Sequence, residues 1–149
     1  MRNNYRITPD TMAIFPLYDA MYQSSILEYD QIISSEERPI DIIQENCLHY
    51  GSSYHGRKVA VQHHLEFRQK IPVPIQPTQN IYTFPTQSTT SFDCIWLFFH
   101  AIKYIENKEQ QSTITFINGQ TVNMETSYYT IQKQYNRTGM VKVLMEQLM

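Results

Sequence analysis

Cysteine is scarce in this chain: Cys47 and Cys94 are the only two in 149 residues. That is too few for a disulfide framework, and both read as small buried thiols in a reducing compartment. Long apolar runs are absent, so no bilayer span is expected. The N-terminal Met1-Arg2-Asn3-Asn4-Tyr5-Arg6 leads into no apolar h-region, which excludes a secretory signal and leaves a cytosolic reading. An excess of positive charge is also missing. The net charge is -2, which argues against a strongly basic nucleic-acid binder. There is no Gly-x-Ser-x-Gly elbow, and no helix-turn-helix, zinc-finger, basic-zipper or RNA-recognition signature.

What is present points to a folded protein. Hydrophobic residues make up 42%, with eleven tyrosines and seven phenylalanines. Such a composition excludes global disorder and suits one domain over residues 1–149. Charge is also segregated. Residues 1–50 hold three basic and eight acidic groups, whereas 51–103 hold five basic and two acidic. One face can therefore attract phosphate although the whole chain is acidic. Ordinary surface variation gives a difference of this size about as often.

The pattern predicts an α+β fold, mainly an antiparallel β-sheet with one short helix near 39–50 and a longer C-terminal helix near 127–148. Two strands are expected within 11–33, joined as a hairpin near Asp19–Ser24. Pro39 and Asp41 suit the first turn of the short helix, Ile40, Ile43, Cys47 and Tyr50 share a face, and Gly51 supplies the stop. Val59–Phe67 reads as a strand with His63 and His64 on opposite faces. Ile81–Phe84 reads as a short strand after a proline-broken stretch, Thr86–Ser91 as a hydroxyl-rich loop, and Ile95–Ile105 as a central strand. At Asn118-Gly119 a three-residue hairpin loop, with Gly119 left-handed, pairs Phe116 with Gln120 and Ile114 with Val122. That register gives a cleaner apolar face than a two-residue loop. In the last helix Ile131, Tyr135, Thr138, Val141, Met145 and Leu148 form the core stripe, and Lys133 and Arg137 lie on another face. Gly139 inside it costs about 1 kcal/mol relative to alanine.

The segment from Asn46 to Lys58 is the most informative. Two of the four glycines, Gly51 and Gly56, enclose Ser52, Ser53, Tyr54 and His55, and Arg57-Lys58 follows at once. Glycine allows close backbone approach, so N–H groups, hydroxyls and two cations can converge on one phosphate. The loop is expected to leave a helix C-terminus, without a helix dipole to help it. Arg68 and Lys70 extend the basic stretch, interleaved with His63, His64 and Phe67. Each alone is as often an ordinary solvated charge. Metal binding is weighed and disfavoured. Cys47 and His49 point about 160° apart on a helix, and the spacing of Cys47, His49, His55, His63 and His64 matches no closed zinc site. A catalytic reading fares no better: Cys47 lies on an apolar face, His100 reads as a hydrogen-bonded core histidine, and no paired carboxylates stand out.

These pieces together resemble the competence transcription factor ComK family. The resemblance is carried by Cys47, Gly51-Ser52-Ser53-Tyr54, Gly56-Arg57-Lys58, Ile81-Tyr82-Thr83-Phe84-Pro85-Thr86, Trp96, Thr115-Phe116-Ile117-Asn118-Gly119 and Tyr135-Asn136-Arg137-Thr138. It implies a bacterial regulator of DNA uptake, not an enzyme and with no cofactor. Such a protein binds A/T-rich boxes of double-stranded DNA through minor-groove and phosphate contacts. Dimers, paired on the promoter, are implied as well. On this reading the DNA-contacting set is Ser52, Ser53, Tyr54, Arg57 and Lys58, with Arg68, Lys70, Lys133 and Arg137 as weaker members. The family usually carries a C-terminal extension linked to activation and to adaptor-mediated delivery to a Clp protease. This chain stops at Met149, which puts that route in doubt and leaves open a non-activating modulator acting through protein association. A third reading, a small domain holding a phosphorylated metabolite on the glycine loop, also stands open at this point.

Overall fold

The computed structural model describes residues 4–149, so Met1, Arg2 and Asn3 of the N-terminal stretch lie outside the described residues. Strands β1 (Thr11–Pro16), β2 (Ser24–Glu28) and β3 (Ile32–Ser35) form an antiparallel meander. The expected hairpin is its first half; β3 is an addition to the sequence reading. Helix α1 (Pro39–His49) starts with Pro39 in its first turn and with Arg38 bonded to Asp41. It buries Ile42, Ile43, Asn46 and Cys47. Gly51, at φ +98°, closes it, and the Ser52 N–H returns to the Cys47 carbonyl at 3.1 Å.

A second helix, α2 (Tyr54–His64), occupies the segment read as the strand Val59–Phe67. The Ser53 hydroxyl caps it by accepting from the Gly56 N–H at 2.9 Å. The misreading came from Val59 and Val61, whose β-branched side chains mimic strand alternation. Only Val61 of this helix is buried, so no apolar stripe shows the helical period. His63 and His64 consequently sit side by side at its end, ring centroids 4.9 Å apart, not on opposite faces.

Strands β4 (Val73–Gln76), β5 (Ile81–Pro85) and β6 (Trp96–Phe98) complete a six-stranded sheet in the order β3-β2-β1-β6-β5-β4. Pro74 lies on the edge strand β4, where a missing N–H costs the sheet little. The expected single strand Ile95–Ile105 is divided. β6 pairs with β1 and β5, a 3₁₀ turn follows at Phe99–Ala101, and β7 (Ile102–Lys108) opens a separate sheet with β8 (Gln111–Phe116) and β9 (Thr121–Ser127). One apolar run thus serves two sheets, a change of direction that hydrophobicity alone does not mark. The β8–β9 turn has the expected register: Ile114 faces Val122, the Phe116 N–H reaches the Gln120 carbonyl at 2.8 Å, and Gly119 has φ +90°.

Helix α3 (Tyr128–Leu148) runs unbroken through Gly139 and packs on β4, β5 and β7. Ser127 caps it through the Thr130 N–H. Ile131, Thr138 and Val141 are buried as expected, Tyr135 and Met145 are half-buried, and Leu148 is exposed, with none of the described residues covering the helix end. Gln134 is buried instead, with consequences for the site below. The architecture is α+β with mainly antiparallel sheets, and it has three α-helices where two were expected.

The N-terminal segment is held to α1 through one buried amide. Asn46 Oδ1 accepts from the Ile7 N–H at 2.9 Å, while its Nδ2 donates to the Tyr5 and Ile42 carbonyls at 3.0 and 2.8 Å. Asn46→Ala leaves the Ile7 N–H and the Tyr5 carbonyl without partners and is expected to cost about 1–3 kcal/mol. Urea unfolding measures this; a loss below about 0.5 kcal/mol, the scale of an ordinary surface change, would contradict the assignment.

Candidate nucleic-acid interface

The glycine loop connects two helices, and its backbone groups are largely committed to that task. The Gly51 and Ser52 N–H groups close α1, and those of Gly56 and Arg57 return to Ser53. The N–H groups of Ser53, Tyr54 and His55, at the start of α2, have no partner among the described residues. Contrary to the sequence reading, then, a helix N-terminus does follow the loop. Gly56 is needed here for space: a Cβ at this position would come within 2.9 Å of the capping Ser53 Oγ.

Arg57 and Lys58 point to different places. Arg57 turns inward, donating from Nη1 to the Pro74 carbonyl at 2.6 Å and from Nη2 to the Tyr50 carbonyl at 3.3 Å. Burial pulls its pKa down from the usual arginine value, and the neighbouring Cys47 pulls the other way. This guanidinium ties the end of α1 to the edge strand β4. Lys58 lies on the outer face of α2, its Nζ 4.5 Å from the centroid of the Tyr54 ring.

Tyr54, Lys58 and Gln62, four residues apart on α2, form one wall of a cleft of about 420 Å³. Arg68, Gln69, Lys70 and Ile71 form the facing wall, and Ser88 and Thr89 of the hydroxyl-rich loop contribute to the lining. Burial pushes the Tyr54 hydroxyl up to about 12, so it is a neutral hydrogen-bonding group at physiological pH. A second cleft of about 540 Å³ lies beyond the same segment, lined by Glu66, Phe67, Arg68, Gln69, Lys70, Lys133 and Arg137. The segment Arg68–Lys70 is thus a basic ridge between two depressions. Among the described residues the ion pair is Arg38–Asp41; Lys58, Arg68, Lys70 and Lys133 form none. Ser52 and Ser53 are exposed at the start of α2, outside the lining of both clefts.

Helix α3 sets the ridge in place. Gln134 Nε2 donates to the Lys70 and Pro85 carbonyls, each at 2.8 Å, and its Oε1 accepts from Arg137 Nη1 at 2.6 Å. Arg137 Nη2 donates to the Gln69 carbonyl at 2.9 Å, and its guanidinium covers the Phe67 ring at 4.1 Å. Lys70 takes a left-handed backbone, φ 50°, within this clamp. Arg137 therefore acts first as a positioning residue. Of the residues named from the sequence, Tyr54, Lys58, Arg68, Lys70, Lys133 and Arg137 line the two adjoining clefts, whereas Gln134, Gln62, Ser88 and Thr89 were not among those named. The hydroxyl-rich loop was the available signal for the last two; nothing in the sequence announced Gln134, since a polar residue on a helix is ordinarily solvent-facing.

Chemically, the arrangement is suited to a polyanion. Unpaired cations are spread along a ridge, with hydroxyls and amides beside them. Cys47 offers no nucleophile, since burial pushes its thiol up to about 11. The family model described as ComK protein matches residues 2–149. The competence transcription factor of Bacillus subtilis (strain 168) is 30% identical over 141 residues, which cover 93% of this chain and 73% of that protein. No solved structure matches the chain significantly.

Two outcomes follow from the clamp and the inward arginine. Arg57→Ala is expected to lower stability by about 1–3 kcal/mol, because two carbonyls lose their donors, whereas Lys58→Ala stays within about 0.5 kcal/mol; equal effects in urea unfolding would contradict the inward role. Gln134→Leu releases the ridge, so trypsin should cut after Arg68 and Lys70 well before it cuts the wild-type chain there. Unchanged protection would show that the segment is held by something else.

Proposed function

This chain belongs to the ComK family, and from that premise we propose that it is a cytoplasmic transcription regulator of genetic competence. It binds double-stranded DNA at the ridge between the two basic clefts and associates with the nucleoid when bound. The observation that carries this reading is the row of unpaired cations, Lys58, Arg68, Lys70 and Lys133, held on one continuous surface. Lys58, Lys70 and Lys133 neutralise phosphates, which supplies affinity without sequence information. Arg68 is exposed and lines both clefts. It is the residue assigned to the minor groove, where the narrow A/T-rich form concentrates negative potential and attracts arginine. Ser52 and Ser53 contact sugar or phosphate at the margin, Tyr54 donates its neutral hydroxyl, and Arg57 and Arg137 contribute through the backbone they hold.

The whole chain acts as a single DNA-binding domain. With a net charge of -2, one subunit supplies modest affinity, so binding is expected from dimers paired across neighbouring boxes. Within this reading the protein is a regulator, not a catalyst, and needs no cofactor.

Fluorescence anisotropy on an A/T-box duplex and a G/C-substituted control separates the roles. Lys58→Ala and Lys70→Ala should weaken binding to both duplexes evenly, each lowering the salt slope by about one. Arg68→Ala should in addition erase most of the A/T preference. Binding that keeps its slope and preference in the folded Lys58, Arg68, Lys70 triple-alanine variant would refute the proposal.

A further inference from the structure

On the far side of Tyr54 and Thr89 from the cation cleft lies another recess, of about 470 Å³. Those two residues belong to the walls of both. The volume falls within the range of small-molecule sites. Trp96 is buried in its wall and meets Tyr54 edge-on at 6.5 Å. Tyr18 and Phe92 line it too, 75% and 82% exposed, although rings of this size are ordinarily covered. They are not loose: the Tyr18 hydroxyl donates to the Asp93 carboxylate, with the Phe92 carbonyl 3.3 Å away. The single charged side chain in the lining is Arg38. Its Nε and Nη2 donate to Asp41 at 2.8 and 2.9 Å, which engages only two of the five N–H donors of a guanidinium.

Four aromatic rings around one cavity accept a planar ring system by stacking and edge contacts. The unpaired N–H donors of Arg38 accept an anionic group on it. We propose that this recess is a binding site for a small planar aromatic anion of about two or three rings, a size set by the cavity range for such sites. The rings lie among Tyr18, Tyr54, Phe92 and Trp96, and the charged group meets Arg38. A ligand seated there touches Tyr54, the ring on which Lys58 rests, so the site adjoins the cation cleft without using its cations. The assignment does not depend on the DNA-binding reading.

The test is titration of the full chain with 8-anilino-1-naphthalenesulfonate, an aromatic anion of suitable size. Trp96, the only tryptophan in the chain, lies in the recess wall, so the efficiency of energy transfer from it to the dye reports how near the recess the dye sits. One saturable dye per chain, sensitised by Trp96, is expected. Ser91→Phe, which fills the recess, and Phe92→Ala, which removes an exposed wall, should each weaken binding, the former by about tenfold or more, and Arg38→Gln should weaken it less. An unchanged near-UV dichroism spectrum separates this from dye uptake by a loosened core. Several dyes per chain, no transfer from Trp96, or the same affinity in all three variants would overturn the proposal. Displacement of the dye by an A/T-rich duplex would assign the recess to the nucleic-acid footprint and overturn it as a separate ligand site. Failure of DNA binding alone would leave the dye results unaffected.

Discussion

The buried amide of Gln134 is the contact on which the rest of the surface depends. It takes two carbonyls from separate segments, Lys70 and Pro85, and receives Arg137 on its oxygen. A ridge carrying Arg68 and Lys70 would otherwise be an ordinary exposed connection between α2 and β4, free to fold its charges back into solvent. Clamped, it presents them at a fixed offset from Lys58 on one side and Lys133 on the other. Arg57 performs the matching task at the opposite end, where its guanidinium joins the Tyr50 and Pro74 carbonyls. Two arginines are thus spent on backbone so that an arginine and three lysines can stay free. Preorganisation of this kind spares an interface part of the ordering entropy that binding otherwise costs.

Much of the fold was legible because local chemistry and packing agree. The α1 boundaries follow from Pro39 and Gly51, the β8–β9 register from the apolar face that only one loop length permits, and α3 from its periodic stripe. The failures share a cause. At α2, Val59 and Val61 have strand-like side chains, while the helix is started by one capping hydrogen bond, donated by the Gly56 N–H to the Ser53 hydroxyl. Between Ile95 and Ile105 the hydrophobic run continues while the backbone changes sheets. In both cases a single backbone event outweighed a composition average.

The site was legible in type and less so in role. Adjacent residues Arg57 and Lys58 look interchangeable in the sequence, yet on a helix they lie about 100° apart, so one faces the core and the other the cleft. Arg137 likewise reads as a surface cation and proves to be a positioning residue. Charge segregation coincides with the ridge. Within residues 46–92 the sole carboxylate is Glu66, and the ridge lies within that stretch. A polyanion therefore meets local attraction on a chain whose total charge would repel it weakly, which favours binding that is salt-sensitive and strengthened by pairing of subunits.

DNA is proposed to lie along the ridge from Lys58 through Arg68 and Lys70 to Lys133. Amide chemical-shift mapping by NMR, with a short A/T-rich duplex titrated into isotopically labelled protein, tests it most directly. Shifts are expected to concentrate in residues 54–62, 67–71, 88–89 and 133–137, with little change along β3 or at the exposed end of α3. Shifts centred on β3 or on the last turns of α3, with the ridge silent, would contradict it.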